Sequence, residues 1–305
     1  MKIRIKFAKT GVMKFVGHLD VMRYFQKAIR RAELPIAYSE GFSPHMLLSF
    51  ASPLGVGISS TGEYFDMVLA EDMKTDEIVK RLNATMVEGM EVISARHVPD
   101  GKASKAMSLV AGADYLVQFR EGKMPEIDLE TKVPEFFALP QIEIMRKTKR
   151  SEKLTDIRPW IYDMKVKKSG VWMQLSTGSV SNLKPELVME AFCKWCWVEL
   201  PPFACTILRE EVYADIGTEE ERKLVPLEAL GEEVEYTSCH CPSAVGGKRL
   251  PGTHAGGRRK TGRTDGPLQG EGNAAWQYLC RPGGKTGARD PRGICLVCGA
   301  AELFS

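Results

Sequence analysis

Residues 2–35 read KIRIKFAKTGVMKFVGHLDVMRYFQKAIRRAELP, and they contain a change of period. Residues 2 to 8 alternate, with Ile3, Ile5 and Phe7 on one side and Lys2, Arg4 and Lys6 on the other, which predicts a half-buried strand whose basic side faces water. Gly17 and His18 then open a stretch in which Leu19, Met22, Phe25 and Ile29 recur at helical spacing up to Pro35. Arg23, Lys27, Arg30 and Arg31 fall on the opposite face. Working outward, extended runs at Met46–Phe50 and Gly62–Leu69 follow, the second with Tyr64 and Asp66 on its exposed side. A helix over Thr75–Met86, with Ile78, Val79 and Leu82 as its apolar stripe, precedes a strand over Met90–Arg96. The order βαββαβ is that of a ferredoxin-like domain, a four-stranded antiparallel sheet with both helices on one face.

The next stretch reads as a looser copy. A strand at Asp114–Arg120, a short helix at Leu129–Leu139 and strand-like alternations at Gln141–Lys147 and Trp160–Leu175 lead to a helix opened by Pro185 and a last strand at Cys205–Ala214. The chain is therefore read as α+β, with two tandem ferredoxin-like domains over residues 1–105 and 106–235. From Tyr236 the composition shifts: residues 236–305 hold half of all the glycines, five of the eight cysteines, and ten Lys or Arg against four acids. So little periodic apolar surface cannot offset chain entropy, and a disordered tail is expected.

The chain has 305 residues, 44% of them apolar and 27% charged, with a formal net charge of +3, ordinary values for a globular protein. That charge is too small to diagnose a nucleic-acid partner unless it is clustered. No run of eighteen apolar residues exists, and the first fifteen residues interleave cations with apolar side chains, so neither a membrane span nor a signal peptide is expected. A cytoplasmic setting follows, in which the cysteines stay reduced.

The motifs Gly17-His18-Leu19-Asp20, Gly41-Phe42-Ser43-Pro44-His45, Pro53-Leu54-Gly55-Val56 and Asp156-Ile157-Arg158-Pro159, together with the basic helix, resemble the bacterial radical-SAM-linked family, a domain of unknown function. The likeness covers residues 1 to about 230. Members of that family occur alone or joined to radical S-adenosylmethionine proteins with cobalamin-binding domains, so the resemblance implies such an enzyme as partner. Its relatives end near the point where this chain turns glycine-rich, and a frame-shifted gene end would give such a segment. The chain itself lacks the CxxxCxxC cluster motif and a Walker loop, and Gly55-Val56-Gly57 is too short for a dinucleotide site. No cofactor is expected.

Several residues are candidates for function. Arg23, Lys27 and Arg30 share a helix face and, joined to Lys2, Arg4 and Lys6, would form a positive surface able to track RNA phosphates, or else a plain solvated face. Ser43 and His45 sit in a turn stiffened by Gly41 and Pro44, and His18 lies at a helix start, where amides favour an anion. Should that turn fold over the helix, His18 and His45 would converge on one phosphate or act as an acid–base pair. Arg158 suits either an anion or a turn pair with Asp156. Cys193 and Cys196 read as buried thiols, while Cys239, Cys241, Cys295 and Cys298 have the makings of a zinc site closing a long loop. The leading expectation is a non-catalytic RNA-binding or substrate-presenting module working with a radical S-adenosylmethionine enzyme. The alternatives are a histidine-dependent RNA-cleaving or small-anion enzyme, and a protein-interaction adaptor, which needs an exposed apolar patch.

Overall fold

A computed structural model describes residues 1–101, 104–147, 152–168, 170–179, 181–218 and 221–235. Residues Met1–Glu235 form one compact unit. Its elements run β1 (Lys2–Lys9), α1 (His18–Arg31), β2 (Leu48–Phe50), β3 (Ser59–Val68), α2 (Thr75–Asn83), β4 (Met90–His97), α3 (Ala106–Leu109) and β5 (Val110–Phe119). There follow α4 (Leu129–Phe137), β6 (Glu143–Lys147), β7 (Glu152–Asp156), β8 (Ile161–Lys167), β9 (Gly170–Ser176), α5 (Pro185–Trp195), β10 (Cys205–Asp215) and β11 (Leu224–Pro226). The fold is mixed α+β, dominated by one large, mostly antiparallel sheet.

Among the described residues nine strands make that sheet, in the order β4-β1-β3-β10-β5-β9-β8, with β2 beside β3 and β11 beside β10. The first half orders its strands β4-β1-β3-β2, and the second, β10-β5-β9-β8, repeats that order. They join where β10 runs parallel to β3, Leu208 opposite Ser59 and Arg209 opposite Ser60. At this seam a Cβ on Gly62 would stand 2.6 Å from both Glu210 O and Glu211 Cα, so only glycine lets the backbones approach so closely. Gln141–Lys147 does not enter the main sheet: β6 pairs with β7 as a separate hairpin, and the single stretch Trp160–Leu175 supplies both β8 and β9.

Ile3, Ile5 and Phe7 of β1 face α1, whose Val21, Phe25 and Ile29 fill the space between helix and sheet. Phe7 and Phe25 meet edge-on with centroids 4.7 Å apart, and burial of each such ring stabilises the fold by about 2–3 kcal/mol. Leu19, expected in the apolar stripe, is 60% exposed, because the helix turns Val21 inward instead. In the second half Val133 and Phe136 of α4 and Val188 and Phe192 of α5 cover Tyr115, Val117 and Met173.

Candidate functional site

The basic side of β1 does not face water. Lys2 and Arg4 are buried, Arg4 to 1% exposure, because Ser104 and the 3₁₀ turn Leu227–Leu230 cover the second face of the sheet. Register places Arg4 opposite Asp66, and its Nε donates to Asp66 Oδ1 at 2.9 Å. Lys2 donates to Ser104, while Lys6 binds Glu211 at 2.6 Å and Glu228 at 2.7 Å. Tyr64 and Asp66, expected on an exposed side, lie inside the same layer at 2% and 5% exposure. The continuous positive surface expected from Lys2, Arg4 and Lys6 is therefore absent: an alternating strand has a wet face only when nothing packs on it.

Helix α1 keeps its outward cations. Arg23, Lys27, Arg30 and Arg31 are exposed, and Arg23 makes only an exposed contact with Asp20, 3.1 Å away. Asp20 near the start and Arg30 and Arg31 in the last turn complement the helix dipole. Gly17 opens the helix in an extended conformation, its carbonyl accepting from the Asp20 and Val21 amides.

His18 and His45 belong to different neighbourhoods. His18 packs edge-on against Phe50, with ring centroids 5.2 Å apart. His45 lies in the exposed turn with Ser43, and its Nδ1 shares a hydrogen bond of 2.8 Å with Ser39 Oγ, which also accepts from the His45 amide. Five residues of largely extended chain, on the order of 15 Å, separate His45 from Phe50. Among the described residues no contact joins the two imidazoles, each of which has a partner of its own.

Beneath His18 lies a cluster that the sequence did not announce. A cavity of about 10 Å³, room for a single water, is bounded by Lys9, His18, Ser52 and Glu63. Glu63 accepts from Arg209 Nε at 2.8 Å and from Nη2 at 2.6 Å on both oxygens, and Nη2 also donates to Ser52 O at 2.8 Å. Burial alone would favour neutral Arg209, yet Glu63 holds it firmly protonated. Burial pushes the Lys9 ammonium below its ordinary 10.5. On the other face Tyr64 donates to Glu211 at 2.6 Å, and Tyr213 and Gln174 donate to Asp114, whose carboxyl burial nevertheless raises. These pairs bridge strands far apart in the chain, so no local motif signals them.

Arg158 spends its donors on backbone, with Nε to Leu139 O at 3.1 Å and Nη1 to Ile161 O at 3.0 Å, while its guanidinium lies 4.2 Å from the Phe137 centroid. Asp156 accepts from the Ile142 and Arg158 amides, so the expected turn forms through backbone rather than through an ion pair. Burial pushes the Cys193 thiol up to about 12, which keeps it protonated and unreactive. Among the described residues no cluster of His, Cys, Asp or Glu could hold a metal, and no helix is long and apolar enough to cross a membrane. Cys239, Cys241, Cys295, Cys298 and the rest of the expected tail lie outside the described residues.

A family model described as "Uncharacterized protein conserved in bacteria (DUF2344)" matches residues 2–185. The chain belongs to this family. The DUF2344 match includes α1, the His45 turn and the Glu63 half of the seam, and stops at the first residue of α5. No curated protein matches. Among solved structures, a chain of "Crystal Structure of a Cbf5-Nop10-Gar1 Complex" is similar at 12% identity and a TM-score of 0.37. The match covers 69% of this chain and 48% of that one. At that level the likeness bears on neither fold detail nor function.

Proposed function

We propose that the protein is a non-catalytic RNA-binding or substrate-presenting module that contacts RNA phosphates with the outer face of α1. It would act in the cytoplasm beside a radical S-adenosylmethionine enzyme in RNA modification or maturation. We also read the two halves, 1–105 and 106–235, as ferredoxin-like domains, a reading supported by the strand order they share. One observation carries the RNA reading: Arg23, Lys27 and Arg30 are exposed on one side of a helix whose other side is anchored by Val21, Phe25 and Ile29. Among the described residues no ion pair engages Lys27 or Arg30, so their charge is free for a partner.

The test is binding of the full chain to single-stranded RNA across a salt series, beside a variant carrying Arg23→Glu, Lys27→Glu and Arg30→Glu. Each lost phosphate contact lowers the log–log salt slope by about 0.7, so the variant should bind weakly with a slope reduced by about two. Equal binding and equal slopes would refute the helix face as the contact. The enzyme partner follows from the family resemblance and is tested by co-purification from the native host.

A further inference from the structure

On the helix-bearing side of the sheet the two halves leave a groove of about 650 Å³ between them. Ile207 of β10 lines its floor, beside the fully buried Val117 of β5. Phe15 and Val56 make one wall, from the first half. Both are more than 60% exposed, large apolar side chains that the fold itself leaves uncovered.

The far rim is Phe203, 87% exposed, in the turn Pro201-Pro202-Phe203-Ala204 closed by an Ala204 N–H to Pro201 O bond of 3.1 Å. Phe203 holds φ at +57°, in the third position of a turn that ordinarily gives that place to glycine. A bulky residue kept in a left-handed conformation while its ring stays in water has no packing reason within the described fold. Strained backbone of this kind clusters at active sites, ligand clamps and switch regions.

The polar groups of the groove supply a sign. Glu186, in the first turn of α5, lines it, and its Oε2 is shut away from solvent with no hydrogen-bond partner among the described residues. Glu190 follows one turn later on the same helix face. A buried carboxylate oxygen without a donor is unfavourable, and what it lacks is an N–H group. Among the described residues Arg120 is the one cation in the lining, and Lys14 lies 5.2 Å from the Phe15 centroid on the opposite wall, so the two carboxylates make the α5 wall the side that favours a cation.

We propose that this groove is a docking site for a short apolar segment of a partner protein, carrying one lysine or arginine whose cation pairs with the open side of the Glu186 carboxylate and with Glu190. The segment lies over Ile207 between Phe15 and Phe203. This contact is independent of the RNA reading, since it uses neither the α1 face nor an anionic ligand.

The probe is a random heptapeptide library displayed on phage and selected on the full chain, followed by fluorescence anisotropy with a synthetic peptide of the selected sequence. The expected selection is one Lys or Arg flanked by apolar residues. Its affinity should fall at least tenfold with Glu186→Gln and at least fivefold with Phe203→Ala, and change less than twofold with the triple Arg23→Glu, Lys27→Glu, Arg30→Glu variant. Phe203 is exposed, so its truncation leaves the fold intact and keeps the test valid if Glu186→Gln weakens α5. Selected peptides lacking a cation, or binding that ignores both groove variants, would overturn the proposal.

Discussion

The chain carries two basic rows in its first thirty residues, and they end in opposite environments. Lys2, Arg4 and Lys6 recur at a strand's spacing, and Arg23, Lys27 and Arg30 at a helix's spacing; both look like solvated faces. The first row is enclosed by acids from elsewhere: Asp66 is 62 residues away from Arg4, while Glu211 and Glu228 are 205 and 222 residues away from Lys6. Among the described residues the second row has only Asp20, one helical turn distant and in water. Whether a basic row becomes surface or interior is thus decided by residues remote in the chain, which a local pattern does not contain.

The largest expected effect breaks the buried row. Arg4→Ala would strip Asp66 of its closest cation and leave it only Lys2, 3.5 Å away, and the Ala106 amide, at a cost of about 3–5 kcal/mol in urea-induced unfolding. The double variant Arg4→Met, Asp66→Leu should recover part of that loss, and its failure to recover any would assign the cost to the Lys2 ammonium and the Ala106 amide, which also rely on Asp66. Next comes Gly62→Ala at the seam: an overpacked backbone contact should cost about 1–3 kcal/mol and slow formation of the sheet.

A smaller effect sharpens the contrast through pH. For Glu228, burial favours the neutral acid, but bonds from Lys6 and Ser94 outweigh it and hold the carboxyl below its ordinary 4.5. A depressed carboxyl stabilises the fold above its unfolded value and loses that contribution as pH falls through its folded one. Lys6 is shifted the other way: burial lowers it, Glu211 and Glu228 raise it further, and the net value is above 10.5. Lys6 itself therefore stays protonated throughout the acid range, where the pair is lost through Glu228. Glu228→Gln should flatten the stability profile below pH 4.5 by about 1 kcal/mol or less, Glu228 being partly exposed. Smallest of all, Arg23→Ala should change stability by within about 0.5 kcal/mol. A loss above 2 kcal/mol there would mean that the outer row, too, has a structural role.

Much of the first half was legible because its signals are local. Met22, Phe25 and Ile29 before Pro35 give α1, and the alternation of residues 2–8 gives β1. The second half was less so. The run from Trp160 to Leu175 hides a hairpin because Lys168 takes a left-handed conformation, φ +52°, at a position where glycine or asparagine would have marked the turn. The inward placement of Tyr64 and Asp66 depends on Leu227–Leu230 covering a sheet face that alternation marks as wet. The groove was illegible for a similar reason: Phe15, Val56, Val117, Glu186 and Phe203 come from five separate segments that only the folded sheet brings together.

The last long strand among the described residues is also the middle of the sheet. Strand β10 lies between β3 and β5, so the two halves acquire a common sheet only after residues 205–215 have been synthesised. A nascent chain that ends before this point presents two unpaired strand edges at once, and such edges recruit other chains. Slow translation just upstream of Cys205 is therefore expected to lengthen exposure to aggregation, and a chaperone able to shield β3 and β5 would have most to do in that interval.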